Sequence, residues 1–139
     1  MSKLKIAIIL MAAIIIIIQF IPASRTNPPI TAGLDAPLEV MSVFKKSCYD
    51  CHSHETEWPW YSNIAPVSWL VSSDVEDGRS HLNFSKWGNL SRKDKVKMKE
   101  EIWEEIEKGN MPLWKYRILH PDANLTQEDK NLIRDWAGE

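Results

Sequence analysis

The chain of 139 residues has two cysteines, Cys48 and Cys51, and no second pair. A structural zinc site wants four ligands, so these thiols could be completed only by two of His54, His81 and His120, whose spacing lacks the usual finger pattern. Charge of one sign is also missing. Lys and Arg number 17 against 19 Asp and Glu, a formal net charge of −2, which leaves no electrostatic footprint for nucleic acid and no strongly polarised field. There is no internal repeat, and no low-complexity segment beyond the N-terminal apolar run. No nucleophile elbow, phosphate loop or acid-base dyad can be defended. Asp74, Glu76 and Asp77 read most simply as a solvated helix end. No strand-helix-strand pattern surrounds the cysteines, so a thioredoxin-like redox couple lacks its setting.

What is present begins at the N-terminus. Lys3 and Lys5 precede an isoleucine-rich run from Ile6 to Ile21, interrupted by Gln19 and followed by Arg25. This is a membrane-targeting segment, residues 1–23, and not part of the folded domain. A spanning helix needs about 20 apolar residues, and the stretch Leu4 to Ala23 has that length. Bulky Ile21 and awkward Pro22 make a poor cleavage site, so an uncleaved single-pass anchor is expected; cleavage after Ala23 would give a soluble secreted form. No cysteine follows the run, which argues against a lipoprotein. The basic flank keeps the N-terminus in the cytoplasm and sends the rest outward. Residues 24–37, with Pro28, Pro29, Gly33 and Pro37, read as an extended tether. Residues 38–139 are enough for one modest core.

The densest chemistry is Cys48-Tyr49-Asp50-Cys51-His52. Two thiols three residues apart, followed at once by an imidazole, form the attachment pattern of c-type haem. On a helix, residues i and i+3 share a face, so both thiols reach the vinyl groups of one porphyrin while His52 falls beneath the iron. The expected cofactor is one covalently attached haem c per chain, with His52 as proximal ligand. A plain disulfide would leave His52 without a reason. Met111, in Gly109-Asn110-Met111-Pro112, is the expected distal ligand, because a helix stop and a proline constrain its backbone. Its rivals are His120, then His81, or an open sixth position; Met41 and Met98 sit within helical patterns. His54 is expected to face solvent.

The periodicity predicts an all-α fold. One helix starts at Asp35 and Pro37 and places Met41, Phe44 and Cys48 on one face. A second spans about Pro66 to Asp77, with Val67, Val71 and Val75 on its apolar side and Gly78 as its stop. A third spans about Arg92 to Lys108, capped by Ser91 with Asp94 three residues on, and buries Val96, Ile102, Trp103 and Ile106. The last starts at Thr126, where Asp129 completes a capping box, and buries Leu132, Ile133 and Trp136. Among seven tryptophans, Trp58, Trp60 and Trp69 cluster with Tyr61 after the motif. They are expected to be core, or else to line the porphyrin and exclude water.

The segment from Trp58 to Trp69, Gly78-Arg79, Leu82-Asn83-Phe84-Ser85, Met111-Pro112 and Leu119-His120-Pro121 resembles the bacterial haem-binding domain family carrying Cys-x-x-Cys-His. The resemblance covers roughly Leu38 to Trp136. The order of parts also resembles small cytochromes c, an analogy of fold. These likenesses imply a cytochrome c-like helical domain behind an N-terminal membrane helix, held in the periplasm at the bacterial inner membrane. They fix the cofactor better than the role. The expected role is single-electron transfer with periplasmic or membrane redox proteins, non-enzymatic and without nucleic acid. The alternative is a haem-based sensor or peroxidase-like enzyme with an exchangeable sixth iron position.

Overall fold

Helix boundaries follow local chemistry closely at the C-terminal half of the chain. The computed structural model describes residues 2–138, which hold helices and turns but no strand. In chain order the helices are α1 (Lys3–Ile18), α2 (Leu38–Ser47), α3 (Tyr49–His52), α4 (Val67–His81), α5 (Arg92–Glu107), α6 (Trp114–Leu119) and α7 (Gln127–Gly138). Ser91 caps α5 by accepting from the Asp94 amide at 3.1 Å, which satisfies a backbone donor with no partner inside the helix. The same device starts α7. Thr126 Oγ1 accepts from the Asp129 amide, and Asp129 Oδ2 accepts from the Thr126 amide in return. Beyond α5, Gly109 adopts φ of +76°, a left-handed conformation that an L side chain disfavours.

The core is aromatic at its centre. Phe44 on α2 lies 4.9 Å from Phe84 and 5.1 Å from Trp136 of α7, between ring centroids. Tyr49 stacks on Phe84 at 5.2 Å. Val40, Val43, Ile102, Ile106 and Ile133 close the cluster, and each such side chain contributes roughly 1.5–3 kcal/mol by leaving water. Helix α5 packs on α7, α2 on both α7 and α3, and α3 on α4. The short α3 is thereby wedged between the core and α4.

Three expectations about helices are corrected. Val96 is exposed on α5, and its buried residues are Ile102 and Ile106 alone. On α4 only Val75 of the three valines is buried, and Val67 is exposed. Gly78 does not stop α4, which continues to His81. A Cβ at Gly78 would lie 2.5 Å from the Cys51 carbonyl oxygen, so glycine is there for close approach to α3 and not as a terminator. The periodicity gives no sign of the short α6.

The N-terminal run forms α1 over 16 residues, none of them buried. Sixteen residues rise about 24 Å at 1.5 Å each, less than the ~30 Å hydrocarbon thickness. Among the described residues no helix is long and apolar enough to cross a membrane. The helix ends where Gln19 turns aside. Its side chain donates to the Ala65 carbonyl at 3.1 Å and accepts from the Ala65 amide at 3.0 Å.

The stretch after it holds no helix and is bonded to the domain along its length. Arg25 donates to the Ser62 carbonyl, Asn27 to the Thr56 carbonyl, and Ser72 to the Ser24 carbonyl. The amides of Thr31 and Ala32 both approach the Ser85 carbonyl, and Leu34 is buried in the core. Residues 19–34 therefore strap across the domain.

Candidate functional site

The motif sits at a break between helices. Cys48 ends α2 and begins α3 with φ of −131°, so the motif occupies its own short turn and does not continue the α2 face. Within it the His52 amide donates to the Cys48 carbonyl at 2.9 Å. The two cysteines are not joined by a disulfide.

His52 is held by backbone alone. Its Nδ1 lies 3.0 Å from the Gly78 carbonyl oxygen and 3.1 Å from that of Leu82. Carbonyls only accept, so Nδ1 must carry the proton, which leaves the Nε2 lone pair free for a metal. Burial lowers the His52 pKa against the pull of these two carbonyl bonds, and the neutral, ligating form is favoured. This orientation of the far ring nitrogen is what a metal-ligating histidine needs.

Burial pushes the thiols of Cys48 and Cys51 up to about 12. For Cys48 the neighbouring Cys51 adds to the effect; for Cys51 the carboxylates of Asp50 and Asp74 do. Such thiols are poor nucleophiles and poor thiolate ligands. A thioether carries no charge, so the same burial does not oppose it. Among the described residues no three His, Cys, Asp or Glu side chains gather as a metal-binding group, and there is no βαβ unit for a thioredoxin-like couple.

The loop leaving His52 is clamped by Arg79, one residue past Gly78. Its guanidinium donates to the Ser53 carbonyl at 2.7 Å, to the Thr26 carbonyl at 2.8 Å, to Asn27 Oδ1 at 3.0 Å and to Thr56 Oγ1 at 2.9 Å. The strap and the loop after the motif thus share one cation.

His54 corrects the expectation of solvent exposure: it is buried. Its Nδ1 donates to the Pro29 carbonyl and its Nε2 accepts from Asn83 Nδ2, both at 2.9 Å, so neither nitrogen is free. His81 is exposed and turned to the Asp77 carbonyl. His120 Nε2 is hydrogen-bonded to the Tyr61 hydroxyl at 2.7 Å, which engages the nitrogen a distal ligand would use. Met111 is half-buried against the apolar core, on which Cys48 also packs.

Sequence reasoning missed a polar group beside the motif. Tyr116 donates its hydroxyl to Asp50 Oδ2 at 2.7 Å and stacks on His120 at 4.2 Å between centroids. The Glu57 amide donates to Asp50 Oδ1 at 2.8 Å. Burial, together with the Asp50 bond, pushes the Tyr116 phenol well above its ordinary range. Lys115 pairs with Asp74 at 2.8 Å and ties α6 to α4; Asp74 is therefore more than a solvated helix end. A motif-internal Asp and a Tyr 66 positions away carry no shared local pattern, so no sequence signal could have paired them.

The tryptophan cluster after the motif is also not core. Trp87 and Trp136 are buried, whereas Trp60 is 74 % exposed and Trp58 and Trp69 are partly so. Leu70 on α4 and Trp114, Ile118 and Leu119 on α6 are exposed as well. Large exposed apolar groups on two helices joined by an ion pair suit contact with a flat apolar ligand.

A histidine oriented with Nε2 free, directly after two thiols three residues apart, suits a haem-binding helical domain. The chain belongs to the haem-binding domain family, whose pattern it matches over residues 13–139. That match begins inside α1 and takes in the strap. Neither the curated proteins nor the solved structures gave a match.

Proposed function

We propose that the chain is a membrane-tethered monohaem c-type cytochrome that passes single electrons between periplasmic or inner-membrane redox partners. The observation that carries this reading is the His52 ring, fixed by two carbonyl oxygens at Nδ1 with Nε2 left free. Cys48 and Cys51 would each add their S–H across a porphyrin vinyl group, and His52 would be the proximal ligand. Bound there, the haem supplies a one-electron iron couple. The chain's own part is to keep His52 neutral by burial, hold the motif turn against α4 through Gly78, and exclude water with α4 and α6.

Met111 is the proposed distal ligand. The engagement of His120 by Tyr61 weakens the main rival. Mass spectrometry of protein made with a haem-attachment system tests the core of this reading. One haem retained after acid-acetone extraction is expected; zinc without a Soret band would end it. For the sixth ligand, the ferric protein should show the weak red charge-transfer band of a thioether, and Met111→Ala should abolish it and admit carbon monoxide to the reduced iron.

The second reading, a haem-based sensor or peroxidase-like enzyme, has its own support in the Asp50, Tyr116, His120 and Tyr61 group. Ready carbon monoxide binding by the unaltered reduced protein would favour it.

A further inference from the structure

A buried N–H without an acceptor loses its hydration uncompensated, and the loss is greater when the group is charged. Among the described residues, the buried side-chain nitrogens without a partner are Trp58 Nε1 and Arg117 Nε. Ser47 Oγ on α2 is likewise unpartnered, but a hydroxyl both donates and accepts and does not call for an anion. The two nitrogens only donate. No carboxylate of the described residues pairs with Arg117, although Lys46, Lys97, Lys108, Lys115 and Arg134 all have partners.

Each donor adjoins, in sequence, a residue that hydrogen-bonds Asp50 of the motif. Trp58 follows Glu57, whose amide donates to Asp50 Oδ1, and Arg117 follows Tyr116, whose hydroxyl donates to Asp50 Oδ2. Asp50 has both oxygens engaged by those neighbours and is not the missing acceptor. Next to Arg117, Ile118 and Leu119 are exposed apolar residues. A cation without a counter-charge next to exposed apolar residues, together with an unpartnered indole N–H, fits an amphipathic ligand with carboxylate arms. The planar guanidinium matches a carboxylate with parallel N–H bonds.

We propose that Arg117 and Trp58 form the anion site of the cofactor pocket and bind the propionate carboxylates of the haem. This rests on the haem reading above. The ionised propionate gains Arg117 as counter-ion and Trp58 Nε1–H as donor, and both donors gain the acceptor they lack.

The test uses full-length protein carrying haem with ¹³C-labelled propionate carboxyls, followed by infrared difference spectroscopy through a pH titration. Covalent haem is first established by mass; its absence would count against the haem reading and not single out this site. In the unaltered protein at least one propionate should titrate roughly one to three pH units below an ordinary carboxylate, the shift an adjacent cation causes. Arg117→Gln should raise that midpoint by about one unit or more. Trp58→Phe should raise it less, and Arg117→Lys should restore part of the shift. The red and Soret bands should stay unchanged, since neither residue ligates iron. Propionates that titrate normally in haem-loaded unaltered protein would overturn the proposal even if every variant failed to fold. Midpoints unmoved in folded Arg117→Gln and Trp58→Phe would overturn it equally.

Discussion

Gly78 and His52 depend on each other through one contact. The absence of a Cβ at Gly78 lets α4 reach the Cys51 carbonyl, and the Gly78 carbonyl in turn orients His52. Gly78→Ala should therefore destabilise the domain by about 1–3 kcal/mol through overpacking, although alanine favours helices elsewhere. Thermal unfolding should show the loss, with reduced haem attachment beside it. Asp129 gives a pH test. Burial alone would raise its carboxyl, but Lys46 and the Thr126 amide and hydroxyl outweigh that and hold it below the ordinary range. A carboxyl lowered on folding stabilises above its unfolded value of about 3.9 and loses that contribution as pH falls through the folded value. Acid unfolding of unaltered protein should thus steepen below about pH 4, and Asp129→Asn should flatten that limb.

At the scale of elements, caps and clamps carry different weights. Thr126→Ala removes the cap of α7 and should cost about 1 kcal/mol, visible as a lower denaturation midpoint. The strap is held by side chains, with Arg79 making four bonds to residues of the strap and of the loop after His52. Arg79→Ala should release residues 24–32 while leaving α5 and α7 in place. Limited proteolysis should then cut near Arg25 well before the unaltered chain is cut. Cleavage at the same rate in both would show that the strap is held elsewhere.

Over the whole molecule, α1 projects apolar surface with nothing among the described residues to cover it: Leu10, Met11 and Ile14 to Ile17 are each more than half exposed. Full-length protein should therefore stay with membranes after a high-salt wash. A chain starting at Asn27 should be soluble, yet it loses the Gln19 clip to Ala65 and the Arg25 bond to Ser62. Its unfolding midpoint should fall below that of the full chain. Equal stability would mean that residues 19–26 of the strap add nothing to the fold.

The sequence by itself determined what short-range chemistry controls. The motif thiols and His52 lie within five residues, the capping pairs Ser91–Asp94 and Thr126–Asp129 are three apart, and the period of Ile102, Ile106, Ile133 and Trp136 marks helix faces. Each depends on neighbours along the chain, so a pattern carries it. Tertiary structure alone decided the rest. It set Gly78 as a packing site, buried His54, turned Gln19 from an interruption in an apolar run into a clip, and bound a proline-rich tether to the domain. It also joined Asp50 to Tyr116 and left Trp58 and Arg117 without acceptors. These outcomes come from contacts between residues distant in sequence, where a side chain's partner is fixed by how helices pack, and periodicity holds no record of that.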